Sequence, residues 1–242
     1  MAVYVIAGLP VEYECRFPLL KNRSEKYKAV NGEKAEFTLT LDDDFFKEKR
    51  EKFPNVSDEN QEYMGMATAF YKKLLHYDGV MLHASAVAVD GYAYLFSAPS
   101  GTGKSTHTKL WQELLGKENA VIINDDKPAI RKKDGIYYAF GTPFSGKHDI
   151  SENCGFPIKG ICFLRRNSEN KIHRIDAKIA MTPFFNQTIR PVEEENMDLL
   201  CENTDDILKN VSFYALDCRA DIEAAQLSYS FMKGGGEYEN KI

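Results

Sequence analysis

An apolar, strand-like run, Tyr92-Ala93-Tyr94-Leu95-Phe96, leads directly into Ser97-Ala98-Pro99-Ser100-Gly101-Thr102-Gly103-Lys104-Ser105-Thr106, and a helical pattern continues to Leu115. A strand, a glycine-rich loop ending in Gly-Lys-Ser and a helix, in that order, read as a P-loop. The motif constrains the fold strongly, because the loop must leave a sheet and open a helix whose first amides face an anion. Its glycines let successive backbone N–H groups turn inward. On this reading Ser100, Gly101, Thr102, Gly103, Lys104, Ser105 and Thr106 cradle the phosphates of a nucleotide. Lys104 reaches the β- and γ-phosphates, and the Ser105 hydroxyl is a ligand for Mg²⁺. The first glycine of the usual pattern is Ala98 here, which fits only if its φ is negative.

The segment before the loop narrows the architecture further. Residues 80–89 and 92–97 read as a hairpin closed at Asp90-Gly91. Most P-loop strands have parallel neighbours, whereas this one then has an antiparallel neighbour and belongs to a mixed sheet. With a two-residue turn, Val89 faces Tyr92 and His83 falls opposite Ala98, at the mouth of the loop. Ala84, Ala86, Ala88 and Ala93 make a smooth side suited to close helix packing, while His83 shares the other side with Ser85 and Phe96. His83 is either hydrogen-bonded filler or a group acting on the phosphate or the acceptor, since imidazole changes charge near neutral pH.

Downstream, residues 120–124 form a short buried strand that ends in Asp125-Asp126. A carboxylate placed there, a helix's length after Lys104, suits Mg²⁺ together with Ser105. The other carboxylate is then free to take a proton from an attacking hydroxyl. Neighbouring strand residues point to opposite faces, so both carboxylates reach one site only where the chain leaves the sheet. Lys127-Pro128 marks such a departure. Asp125 as metal ligand and Asp126 as base is the assignment adopted, and the two roles are interchangeable on sequence alone. The loop 141–148, Gly-Thr-Pro-Phe-Ser-Gly-Lys-His, carries Lys147 and His148 between glycines. It is read either as a closing loop that brings positive charge to the transferred group or as a mobile surface loop. Lys127, Arg165 and Arg166 are weaker rivals.

The remaining segments bound the rest. Strands are expected at 2–7 and 37–41, then a helix from Phe45 whose first turn is acidic through Asp42-Asp43-Asp44 rather than metal-binding. A break follows at 52–56, and a helix runs from Ser57 to the stop at Asp78-Gly79. A hairpin is read around Lys133-Asp134-Gly135, strands at 157–164 and 171–175 around a polar turn, helices near 177–187 and 193–209, a strand at 212–216 and a helix at 221–232. A tail from Gly234 should fray. Three parts result: an accessory α+β segment at 1–78 that binds an acceptor or forms dimers, a core at 79–233, and the tail at 234–242.

The 242 residues carry a net charge of −5, which leaves no basic surplus for nucleic acid. No apolar stretch suits a membrane span and no signal-peptide layout opens the chain, so a cytoplasmic location is expected. The 5 cysteines are scattered without metal-type spacing, and Cys162 lies in an apolar run that marks it as core.

Together, Leu82-His83-Ala84-Ser85, the loop 97–106 and Asn124-Asp125-Asp126-Lys127-Pro128 resemble the HPr kinase/phosphorylase and phosphoenolpyruvate carboxykinase-like superfamily. The loop 141–147 resembles that of its bacterial HPr-kinase-related members. The resemblance spans roughly residues 79–218. It implies an α/β fold with a mixed, partly barrel-like sheet and helices packed outside. It also implies transfer of the γ-phosphate of Mg-ATP to a hydroxyl, such as a serine that is free or within a peptide or protein. His83, Lys104, Ser105, Asp125 and Asp126 match the family's motif positions. Thr106 follows Gly-Lys-Ser as in the carboxykinases, where HPr kinases have an acidic residue. A non-catalytic nucleotide-binding accessory and a carboxykinase-type lyase are the alternative functions.

Overall fold

In the computed structural model, which describes residues 1–234, the chain runs through β1 (Ala2–Ile6), β2 (Leu9–Tyr13), α1 (Pro18–Ser24), β3 (Phe37–Thr38), α2 (Asp43–Lys52), α3 (Asp58–Leu74) and β4 (Gly79–Met81). It continues through β5 (Ala84–Val89), β6 (Tyr92–Ser97), α4 (Lys104–Leu115), β7 (Val121–Asn124), β8 (Ala129–Lys133), β9 (Ile136–Phe140) and β10 (Gly155–Arg166). The last elements are β11 (Lys171–Ile175), α5 (Ala177–Asn186), α6 (Glu194–Asn210), β12 (Phe213–Cys218) and α7 (Ile222–Lys233). The tail expected to fray lies, from residue 235 onward, outside the described residues.

Two-residue turns with positive φ at both positions close three hairpins, at Ala7-Gly8, Asp90-Gly91 and Asp134-Gly135. Turns of this hand match the twist of the strands they join. The β5–β6 register is the one such a turn dictates, from Val89 opposite Tyr92 to Ala84 opposite Ser97. The Ala7-Gly8 hairpin, with β2, goes beyond the sequence expectation of one strand at 2–7, because alanine is not a usual turn signal. The strand expected at 37–41 shortens to β3, and the chain then reaches Asp42, whose side chain accepts from the amide of Phe45 at 2.8 Å and starts α2. The three aspartates are therefore a helix start.

The strand expected to run unbroken from Val80 to Val89 is interrupted at Leu82-His83. β4 pairs with β8, while β5 pairs with β6 and β7. At the break the amides of His83 and Ala84 donate to the carbonyls of Gln187 (2.8 Å) and Asp126 (3.1 Å). One stretch of chain thus serves two wings of the sheet.

Among the described residues the main sheet has nine strands. Its path is β4-β8-β9-β10-β6-β5-β7, with β12 also on β10 and β11 on β12. β11 follows β10 through the polar turn, but β12 inserts between them. β10 is antiparallel to β9 at its start, then runs parallel to β6 on one side and to β12 on the other. A register shift between Ile158 and Gly160 bends it there. A Cβ on Gly160 would come within 2.6 Å of the Tyr214 ring, so only glycine fits. The result is a mixed α/β fold: a curled, half-barrel-like mixed sheet with helices around it. β6, which feeds the loop, has an antiparallel neighbour in β5 and a parallel one in β10.

The alanine side of β5 and β6 faces the inside of the curl, packed with Leu95, Phe163 and side chains from α5 and α6, including Phe184, Leu200 and Ile207. Val87, Val89, Tyr94 and Phe96 face the other way, against Trp111 of α4 and Ala225 and Met232 of α7. The helix that leaves the loop therefore packs opposite the alanines. Cys162 is buried in that second layer, and all five cysteines are free.

A third cluster joins Tyr4, Ile6, Tyr13, Leu20, Phe70 and Tyr71 to Met81, Ala129 and Phe144. Residues 1–78 share this core with the rest of the chain. The tie begins at α1, whose start is capped from another helix. Glu62 of α3 accepts from the amides of Arg16 (2.6 Å) and Phe17 (3.2 Å), and Glu59 accepts from that of Leu19 (2.8 Å). Amides at a helix start lack partners of their own, and these bonds lock α1 against α3.

Candidate active site

The glycine-rich loop 97–106 takes its shape from two glycines. Gly101 (φ 78°) and Gly103 (φ 121°) hold left-handed backbone that disfavours any side chain. Ala98 is buried and is not among the positive-φ residues, so it meets the condition set by its replacement of glycine. Lys104 opens α4 and is buried, and its ammonium donates to the carbonyls of Ala98 (2.8 Å) and Pro99 (3.4 Å). Burial lowers its pKa, and the charges of Asp126 and Asp125 oppose that shift. Ser100, Gly101 and Thr106 are exposed, while Thr102, Gly103 and Ser105 are half-buried. From outside, the Arg166 guanidinium donates to the carbonyls of Gly101 and Thr102.

Strand pairing brings the carboxylates to this loop. β5 and β7 are antiparallel with Ala86 opposite Asn124, which sets Ser85 beside Asp125. The Ser85 hydroxyl donates to Asp125 Oδ1 at 2.8 Å and accepts from the Thr108 hydroxyl at 2.7 Å, whose oxygen also lies 3.2 Å from the Ser105 carbonyl. Buried Asp125 is thereby tied to the first turn of α4. The sheet ends at Asn124, whose Oδ1 accepts from the amides of Asp126 (2.9 Å) and Lys127 (2.8 Å), while its Nδ2 donates to the Thr142 carbonyl (3.1 Å). A side chain that bonds the backbone two and three residues on turns the chain. Asp126, freed from strand alternation, meets His83 just before β5, while Asp125 meets Ser85 within it.

His83 Nε2 lies 3.2 Å from Asp126 Oδ1, and the Lys127 ammonium pairs with Oδ2. His83 Nδ1 sits 3.0 Å from Gln187 Oε1. Burial alone would raise the pKa of Asp126. The hydrogen bond from His83 and the Lys127 charge outweigh it and bring the carboxyl down to about 2.

The loop 141–148 closes one side. A Cβ on Gly141 would fall 1.8 Å from the Glu152 carbonyl, so the chain can pass there only as glycine. Gly146 passes so close to Asp126 that a Cβ would be 3.2 Å from the aspartate Cβ. Lys147 and His148 are exposed, and among the described residues no ion pair involves Lys147. The structure therefore places the phosphate loop, Lys104, Asp125, Asp126 and His83 together, with Lys147 one residue from Gly146 and its side chain in solvent. Arg165 pairs with Asp217 at 2.8 Å.

Ser85, Asn124, Gln187 and Lys127 complete the site; of these, sequence reading named only Lys127 as a candidate, a weaker rival for the charge near the transferred group. The signal for Ser85 was its place two residues from His83 on one strand face. For Asn124 it was an Asn directly before two acids at a strand end.

Among the described residues, no three or more His, Cys, Asp or Glu side chains gather as a metal site. The donors that are present suit Mg²⁺, which takes hard oxygens, keeps waters and needs few protein ligands beside phosphate. Asp125 supplies a carboxylate and Ser105 a hydroxyl.

No protein-family model matches the chain, and no curated protein does. Among solved structures it is similar to the Hpr(Ser) kinase/phosphatase from Coxiella burnetii, at 10% identity and a TM-score of 0.37, over 64% of this chain and 89% of that one. At that level of similarity the chemistry must be argued from this chain's own residues.

Proposed function

We propose that the chain is an ATP-dependent kinase that transfers the γ-phosphate of Mg-ATP to a hydroxyl acceptor, a serine that is free or held in a peptide or protein. The observation that carries this reading is that two consecutive carboxylates beside the lysine of the glycine-rich loop have different partners. Asp125 is bound through Ser85 and Thr108 to the helix that follows the loop, and Asp126 is bound to His83. A site that only stored nucleotide would have no need of the second acid.

Lys104 would exchange its loop carbonyls for phosphate oxygens, with the amides of residues 100–106 holding the rest of the chain of phosphates. Ser105 and Asp125 would hold Mg²⁺, which would neutralise charge on the phosphates. Asp126 orients the acceptor hydroxyl and takes its proton as the new O–P bond forms and the bond to the leaving diphosphate breaks. With a pKa near 2, Asp126 is ionised at any physiological pH and is a weak base. That suits a loose transition state, in which alignment matters more than early proton removal. His83 keeps the carboxylate aimed, and Lys147 supplies charge if the loop 141–148 tightens. Among the described residues no helix is long and apolar enough to cross a membrane.

The test is to supply γ-labelled Mg-ATP with serine, serine-containing peptides and a carrier protein. Label on an acceptor hydroxyl, lost in Asp126→Asn while nucleotide affinity holds, is the expected result. Nucleotide uptake with no labelled product across the panel would overturn it in favour of a nucleotide-binding accessory.

A further inference from the structure

The segment 1–78 does not stand apart from the site. Arg23 at the end of α1 is largely buried, and its Nη1 donates both to the Tyr63 hydroxyl (2.7 Å) and to the Ser145 carbonyl (2.8 Å). Tyr63 of α3 donates to that same carbonyl at 2.5 Å, and its ring lies 4.7 Å beneath the guanidinium. Asp149, across the loop, sits 3.6 Å from Arg23 Nε and accepts from the Ser145 hydroxyl at 2.9 Å. The rings of Tyr63, Phe70 and Tyr71 surround Phe144 at 5.9, 5.8 and 5.7 Å. Tyr71 also donates to the Lys127 carbonyl and lies 3.0 Å from the Thr142 hydroxyl. Farther along, Lys26 donates to the Ser151 carbonyl and Tyr27 to the Ser151 hydroxyl (3.1 Å).

Both ends of the loop 141–148 and the turn bearing Asp126 are thus gripped from α1 and α3. The gripped carbonyl belongs to the residue before Gly146, whose backbone lies against Asp126. We propose that Arg23 and Tyr63 are positioning residues: they fix the loop 145–149 over Asp126 and so set the geometry in which an acceptor hydroxyl meets that carboxylate. This assigns residues 1–78 a place inside the active site rather than a separate binding or dimer-forming module. It rests on the kinase reading for its chemical consequence but not for its structural one.

Tyr63→Phe removes the hydroxyl and keeps the ring against Phe144, so it spares the core. Two hydrogen bonds are lost, the one the hydroxyl donates to the Ser145 carbonyl and the one it accepts from Arg23, a change of roughly tenfold to fiftyfold in local opening. Amide hydrogen exchange should speed by about that factor at residues 145–149 and stay unchanged in β6 and α4. Mg-ATP affinity by calorimetry should hold within about twofold, while the transfer rate falls through a raised acceptor KM or a lowered kcat. Arg23→Lys should keep part of the wild-type exchange protection at 145–149, and Arg23→Gln should lose it. Unaltered exchange at 145–149, or faster exchange spread evenly through the P-loop with weakened nucleotide binding, would overturn the proposal. If the wild-type protein transfers no phosphate, the kinase reading falls and the exchange measurement still decides whether the loop is held from α1 and α3.

Discussion

Asp126→Asn probes the electrostatic account of the site without needing a known acceptor. The carboxyl's pKa falls from an ordinary 3.8 to about 2, because His83 and Lys127 favour its charged form more than burial disfavours it. A decade of ionisation is worth about 1.4 kcal/mol, so the full shift corresponds to at most about 2.5 kcal/mol. The side chains of Asp126 and Lys127 are 22% and 32% exposed, and solvent screening brings the expected value to about 1–2 kcal/mol. A depressed folded pKa stabilises above the unfolded value and loses that stability as pH falls through the folded one. The wild type should therefore exceed Asp126→Asn by this amount at pH 7, hold the margin to about pH 4.5, and lose it toward pH 2. Urea unfolding read from the fluorescence of Trp111, the 1 tryptophan in the chain, measures the margin at each pH. A variant as stable as the wild type at pH 7, or a margin that persists undiminished at the lowest pH, would refute the reasoning.

Three further outcomes follow from the same geometry. Lys104→Met should leave the fold intact yet weaken Mg-ATP binding at least about a hundredfold by calorimetry, the scale of a lost charge-assisted contact to phosphate; affinity within tenfold of wild type would remove the P-loop from the account. Burial against Ser228 and the Phe96 ring drives His107 down to about 4. Its folded pKa is below the unfolded 6.5, so protons favour unfolding, and thermal stability should decline as pH drops from about 6.5 toward 4, by up to about 3 kcal/mol; a His107→Gln curve of identical slope would disprove this origin. Gly146→Ala places a Cβ 3.2 Å from that of Asp126. Stability should change by less than about 1 kcal/mol while phosphotransfer drops at least about tenfold, and an unimpaired variant would show that the loop need not lie this close.

Much of this layout was legible because it depends on residues close in sequence. The Asp90-Gly91 turn needs two adjacent positive-φ residues, and once it is recognised the β5–β6 register follows by counting. The start of α2 needs an acceptor three residues before an unpaired amide, which Asp42 supplies. The interruption at Leu82-His83 was not legible, because both halves read as good strand and only the curl of the sheet separates their partners. β2 was missed because alanine in a left-handed turn carries no compositional signal. Asp125 and Asp126 were recognisable as a pair and Lys127 as a candidate cation, but Ser85, which holds Asp125, looks like an ordinary strand residue until the pairing is known.

The sequence by itself determined the glycine-rich loop between a strand and a helix, the antiparallel neighbour of that strand and the acidic pair at a strand end. Each of these rests on backbone constraints spanning only a few residues. The tertiary structure alone decided that His83 meets Asp126, that Gly146 lies against that carboxylate, and that Arg23 and Tyr63 reach Ser145 across 122 and 82 positions of chain. Contacts of that span depend on how one sheet curls and where a helix is capped from its neighbour. No local pattern encodes either.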